Sequence, residues 1–219
     1  MNTKGLSINF LGDSITEGCV ATCAENTFVE IVARKCAFSV ARNYGIGGTR
    51  VARQHTASPN PITDRDFCQR VNEMDPAADV VIVFGGTNDF GHGDAPLGTF
   101  QDRTADSFFG ACHVLFQSLL TRYPQAKIVV LTPLHRNNET NPLGDGRKTA
   151  PCPPLSDYVQ AIRQTAQFYD LPLLDLFGQG ILDPNDPEVL NRYVPDGLHP
   201  NDEGHRILAD AICEFLEKL

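Results

Sequence analysis

Five apolar runs separated by helix-periodic stretches predict a three-layer α/β/α sandwich built on a five-stranded parallel sheet. Three observations in the 219-residue sequence carry that expectation. Val80 to Phe84 is continuously apolar, the pattern of a strand buried on both faces. The stretches joining the runs are long enough for the helical crossovers that connect parallel strands right-handedly. Glycine-rich or polar clusters stand where several runs end, at the edge where open α/β sheets hold ligands.

Taken in order, Leu6 to Leu11 reads as the first strand, and Gly12-Asp13-Ser14-Ile15 follows it as a turn that leads into a helix. A serine there can be a nucleophile, although Gly and Asp also mark ordinary turns. Residues 26 to 37 repeat apolar side chains at helical spacing (Phe28, Ile31, Val32, Cys36), and 38 to 43 alternate as a second strand. That strand runs into Asn43-Tyr44-Gly45-Ile46-Gly47-Gly48-Thr49, where the backbone either turns tightly or approaches something closely. The polar, proline-containing stretch 50 to 78 is expected to hold a helix from about 62 to 74. The third strand, 79 to 84, delivers Gly85-Gly86-Thr87-Asn88-Asp89 at its carboxyl end.

Residues 99 to 122 carry Phe108, Cys112, Leu115, Phe116 and Leu119 as a buried stripe and predict a long amphipathic helix. A fourth strand is expected at 127 to 132, then a Pro/Gly/Asn-rich loop over 133 to 154 long enough to cover a pocket. A helix over 155 to 169, a fifth strand over 171 to 176 and a last helix over 202 to 218 complete the pattern. Just before that helix, Asp196 and His199 stand three apart on a Gly/Pro loop, where the carboxylate can fold back onto the imidazole. Asn201 is a plausible helix cap.

Composition narrows the function. With 42% hydrophobic and 21% charged residues, the chain is expected to form one globular domain over 1 to 219. A net charge of −9 without clustered Lys/Arg speaks against nucleic acid or an anionic membrane as partner. No apolar run approaches the roughly 20 residues of a membrane span, and none reads as a signal peptide, so a cytoplasmic location is expected. Seven scattered cysteines fit buried thiols in a reducing compartment. Cys19 and Cys23 lack a second Cys/His pair at zinc-site spacing.

Nucleophilic acyl transfer needs a nucleophile, a base, an acid to orient that base, and donors for the developing oxyanion. Gly12-Asp13-Ser14-Ile15, the glycine turn from Asn43 to Gly48, Gly86-Thr87-Asn88-Asp89, and Asp196-Gly197-Leu198-His199 resemble, in order and over nearly the whole chain, the four blocks of the SGNH (GDSL-type) hydrolases. The resemblance implies a flavodoxin-like sheet, with Ser14 as nucleophile, His199 as base and then acid, and Asp196 as its orienting partner. It also implies an oxyanion hole from the Ser14 and Gly48 N–H groups and the Asn88 amide, with no metal or cofactor. Ile15 replaces the leucine of the motif's name. Gly45, Gly47 and Gly48 compete for the oxyanion role, and the family's spacing from Asn43 selects Gly48.

Around these blocks, Asp13, Asp89, His92 and His135 are candidates for a substrate pocket, Asp13 being read mainly as a brace of the turn. Asp94 and Arg136 lie beside them, while His55 and His113 read as structural and His205 has no carboxylate at triad spacing. The expected partner is a small-molecule ester. Short acyl groups, such as sugar acetates, are favoured because no long apolar or Met-rich stretch suggests an acyl-chain tunnel. A thioesterase, lysophospholipase, acyltransferase or non-catalytic carbohydrate-binding domain would share the fold.

Overall fold

The computed structural model describes residues 1–219. Five parallel strands form one sheet in the order β2-β1-β3-β4-β5: β1 Ser7–Gly12, β2 Val40–Gly45, β3 Val80–Phe84, β4 Lys127–Leu131 and β5 Leu173–Leu174. The helices are α1 Ser14–Glu17, α2 Phe28–Lys35, α3 Phe67–Arg70, α4 Thr87–Gly91, α5 Phe108–Arg122, α6 Leu155–Phe168, α7 Pro187–Arg192 and α8 Asp202–Lys218. The α/β/α layering expected from the sequence is the observed architecture.

The continuous apolar run of β3 is explained by two cores. Strand side chains alternate between faces, so Val81 and Val83 enter a core with Phe67, Phe108, Phe116 and Tyr158. Val80, Ile82 and Phe84 enter the other, with Phe10, Phe28, Leu208 and Ile212. The first is covered by α3, α5 and α6, and the second by α2 and α8. No helix is long and apolar enough to cross a membrane.

Several elements depart from the expected boundaries, β2 lying two residues later than expected and α4 being an added short helix. The helix expected over 62 to 74 is broken into a 3-10 turn at Pro61–Asp64, α3, and a second 3-10 turn at Val71–Glu73. Tertiary bonds compete with it, because Arg50 Nη2 donates to Thr63 O and Asp64 while Arg50 O accepts the Phe67 N–H. The long helix starts at Phe108, not near 99, since Asp102 accepts from Thr99 and from the Ser107 hydroxyl and holds that segment as a turn. Strand β5 shrinks to two residues. Pro172 has no N–H for the ladder, and Asp175 turns away to bind Arg163, Thr132 Oγ1 and Gly178 N. Helix α7 was not expected, although Asp186 as N-cap followed by Pro187 is a helix-start signature.

Candidate active site

The site is assembled at one level of the sheet's carboxyl edge. Register pairs Gly12 with Gly45 on β2 and with Phe84 on β3, so the segments after these three strands emerge side by side. Ser14 is the first residue of α1, and Asp13 caps that helix by accepting the Ile15 N–H at 3.1 Å. The turn is packed tightly enough that a Cβ on Gly45 would lie 2.1 Å from Glu17 N.

The three glycines of the second block now separate by their N–H groups. Gly45 donates to Asn43 Oδ1 and Gly47 to Glu17 Oε2, each at 2.8 Å. Gly48, at φ +74°, gives its N–H to no protein acceptor, and neither does Ser14. Asn88 lies one residue into α4, buried, and donates one Nδ2 hydrogen to Thr49 O at 3.0 Å. Its second hydrogen stays free. The bond ties the amide to the residue next to Gly48.

The fourth block reaches across from the loop before α8. Ser14 Oγ lies 2.8 Å from His199 Nε2, and His199 Nδ1 lies 2.7 Å from Asp196 Oδ2. The other carboxylate oxygen accepts the backbone N–H groups of His199 (2.7 Å) and Leu198 (2.9 Å). With Nδ1–H given to the carboxylate, Nε2 faces Ser14 as an acceptor. Burial would raise the Asp196 pKa, yet the His199 and Leu198 bonds hold it below the usual carboxylate range, so the charge stays on Asp196. Asn201 pins the loop by capping α8 through Gly204 N and by donating to Arg192 O. This series can take a proton from a hydroxyl at one end and balance the resulting imidazolium at the other.

Of the residues expected around a pocket, His92 and its neighbour Asp94 line one. A cavity of about 520 Å³ is bounded by Gln54, Thr56, Ser58, His92, Lys148 and Tyr158 among others, and His92 Nε2 lies 3.2 Å from Gly48 O. Lys148, from the 133–154 loop, closes over it by donating to Asp89 O and Gly93 O. Asp13 and Asp89 are instead buried braces. Asp89 accepts Val51 N (3.0 Å) and Ala52 N (2.8 Å), and burial pushes both carboxyls up to about 6. His135 is occupied by Glu139 and Phe177 O and stacks on the Phe177 ring. Arg136 is buried against Thr87 and Asp145. His205 is buried and accepts the Phe28 N–H; burial lowers its pKa to about 4, keeping it neutral.

Arg70 is the residue that sequence reasoning missed. Its buried guanidinium donates to Gly12 O (3.1 Å), Thr49 Oγ1 (2.8 Å) and Tyr44 O, joining the ends of β1 and β2 to the glycine turn. The available signal was an arginine between Phe67 and Val71, both fully buried. An arginine so placed needs acceptors inside the protein.

Fold and block arrangement together define a hydrolase of the GDSL class. The model of the GDSL-like lipase/acylhydrolase family matches residues 10–207, and the chain belongs to that family. Among solved structures, a protein from Lactobacillus plantarum is 28% identical with a TM-score of 0.82, covering 98% of each chain. An acetyl xylan esterase is 22% identical (TM-score 0.63; 95% of this chain and 98% of that one). A member of the lipolytic G-D-S-L family from Veillonella parvula is 17% identical (TM-score 0.63; 97% and 99%). No curated protein matches the sequence.

Proposed function

We propose that the protein is a serine esterase acting on small-acyl carboxylic esters of a polar alcohol. The observation that carries this reading is the continuous series from Ser14 Oγ through His199 to Asp196. Ser14 Oγ attacks the ester carbonyl while His199 Nε2 takes its proton. The alcohol leaves with that proton, and water, activated by the same imidazole, releases the acid. The developing oxyanion is received by the free N–H groups of Ser14 and Gly48 and the spare Asn88 hydrogen. Asp196 holds the imidazole tautomer and offsets its charge.

Two features favour a short acyl group on a polar alcohol. The cavity lined by His92, which reaches Gly48 O, presents Gln54, Thr56, Ser58 and Lys148 beside walls of Leu97, Tyr158 and several prolines, so it offers hydrogen bonds to hydroxyl groups. An acetyl xylan esterase is also among the proteins of like fold. The test is hydrolysis of p-nitrophenyl esters of increasing chain length by wild type and Ser14→Ala, with fluorophosphonate labelling alongside. A steep fall in kcat/KM beyond two to four carbons, with labelling and turnover absent from the variant, is the expected result. Equal labelling and hydrolysis in both proteins would sink the serine mechanism.

A further inference from the structure

A pair of side chains far from Ser14 in the fold is placed for chemistry that ester cleavage does not use. Cys36 caps the carboxyl end of α2 and Cys213 lies on α8, 177 positions later, yet their Sγ atoms approach to 2.8 Å. That is within about 1 Å of a disulfide bond, near 2.05 Å. The Cys36 backbone is held there, and Cys213 is set within helix α8. The Cys36 N–H donates to Val32 O at 2.9 Å and its carbonyl accepts Thr3 Oγ1 at 2.6 Å. Helices α2 and α8 are locked side by side by Lys35 with Asp210 at this end and by the Phe28 N–H with His205 Nδ1 at the other.

The pair is also reachable and asymmetric. A surface cleft of about 260 Å³, lined by Lys4, Lys35, Cys36, Cys213 and Glu217 among others, opens onto it. Cys36 is half-buried whereas Cys213 is nearly covered. The contact with Cys213 favours the Cys36 thiolate against the opposing effects of burial and the Glu217 charge, and the same contact with burial pushes the Cys213 thiol up. Cys36 therefore has the character of an attacking thiol and Cys213 that of a resolving one.

We propose that Cys36 and Cys213 form a redox-active dithiol site that reacts with low-molecular-weight disulfides and closes to a disulfide stapling α2 to α8. The Cys36 thiolate attacks one sulfur of glutathione disulfide, forming a mixed disulfide and releasing one glutathione thiolate. Cys213, giving up its proton, attacks the Cys36 sulfur and releases the second glutathione. The two cysteines lose two electrons and two protons, and glutathione disulfide becomes two glutathione thiols. The staple bears on the site indirectly, since α8 begins at Asp202, directly after the loop that carries His199. It closes a long chain loop, so it should stabilise the fold without touching the reacting groups.

The test is incubation of the folded protein with glutathione disulfide, alkylation before unfolding, and peptide mapping without reductant. Expected are a linked Cys36–Cys213 peptide, loss of two titratable thiols, and a Tm raised by about 5–10 °C and restored by dithiothreitol. Esterase turnover at 25 °C should stay within about twofold. Cys213→Ser should stop at a stable glutathione adduct on Cys36, and the wild-type mapping stands alone if that variant does not fold. No Cys36–Cys213 peptide, linkage of the exposed Cys19 and Cys23 in its place, a lasting adduct on wild-type Cys36, or linkage without a Tm shift overturns the proposal.

Discussion

The two halves of the site are built in opposite ways. Ser14, Gly48 and Asn88 stand on a framework whose supports are buried: Asp13 is 2%, Arg70 2% and Asp89 3% exposed. Arg70 and Asp89 hold main-chain groups from distant parts of the chain, whereas Asp13 caps its own helix through the Ile15 N–H. Asp196 and His199, by contrast, belong to one short loop in which the carboxylate orients the imidazole three residues away, and the Asp196 side chain is 45% exposed. The Ser14, Gly48 and Asn88 side of the proposed site is thus held largely by long-range packing, while His199 is oriented by a carboxylate of its own loop, which is tied down through Val194, Gly197 and Asn201. Changes in the loop should therefore cost activity with little stability, and changes in the framework should cost both.

The largest effect is expected where the proposed chemistry meets the loop. Asp196→Asn keeps an oxygen for the Leu198 and His199 N–H groups but presents an amide to Nδ1, favouring the wrong imidazole tautomer. Its kcat should fall on the order of 10⁴-fold, with Tm within about 2 °C of wild type. A stability loss as large as the activity loss would break the contrast between the halves. Next comes Asn88→Ala, which removes one donor of the proposed oxyanion hole and should lower kcat on the order of 100- to 1,000-fold with KM little changed. Unchanged turnover would take Asn88 out of the mechanism.

Arg70→Met tests the framework itself. The substitution removes the guanidinium donors from Gly12 O, Tyr44 O and Thr49 Oγ1, leaving Gly12 O with the Ile46 N–H and Thr49 Oγ1 with its own bond to Ile46 O. Urea unfolding should show a loss of about 3 kcal/mol, accompanied by lower kcat because the Ser14 and Gly48 segments lose their common tie. Full stability with reduced activity would move Arg70 from support into the chemistry.

The same contrast explains what the sequence made legible. The layering followed from Val80 to Phe84 and the helical stripes, because burial on two faces leaves a one-dimensional record. The Asp196/His199 contact was readable for a similar reason: three residues on a Gly/Pro loop can meet locally. The framework left almost no such record. Arg70 meets Gly12, Tyr44 and Thr49 only through tertiary folding, and nothing in Gly-Thr-Asn-Asp says that Asp89 turns inward to Val51 and Ala52 while Asn88 stays at the edge. Helix starts at 62 and 99 were misplaced because Arg50, Asp102 and Ser107 offer the backbone bonds that compete with a helix. Strand β5 ended early because Asp175 had partners off the sheet.

The smallest expected effect separates bracing from charge. Burial lifts the Asp13 carboxyl to about 6, against an ordinary value of 3.8, so the folded state binds its proton more tightly than the unfolded chain does. Such a group favours folding fully only below its unfolded pKa, and that contribution is lost as pH rises from about 4 through 6. At pH 8 the ionised carboxylate is a net cost, offset in part by the Ile15 N–H. Asp13→Asn keeps an oxygen to cap α1 and removes the charge. It should therefore be more stable than wild type at pH 8, by about 1–3 kcal/mol, with the difference shrinking through pH 6 and vanishing near pH 4. Thermal unfolding of both proteins across that range is the measurement. A constant difference at every pH would mean that the cap geometry, and not the buried charge, distinguishes the two side chains. A variant less stable at pH 8 would mean that the nearby Arg70 charge repays the burial of Asp13, making the framework electrostatic as well as hydrogen-bonded.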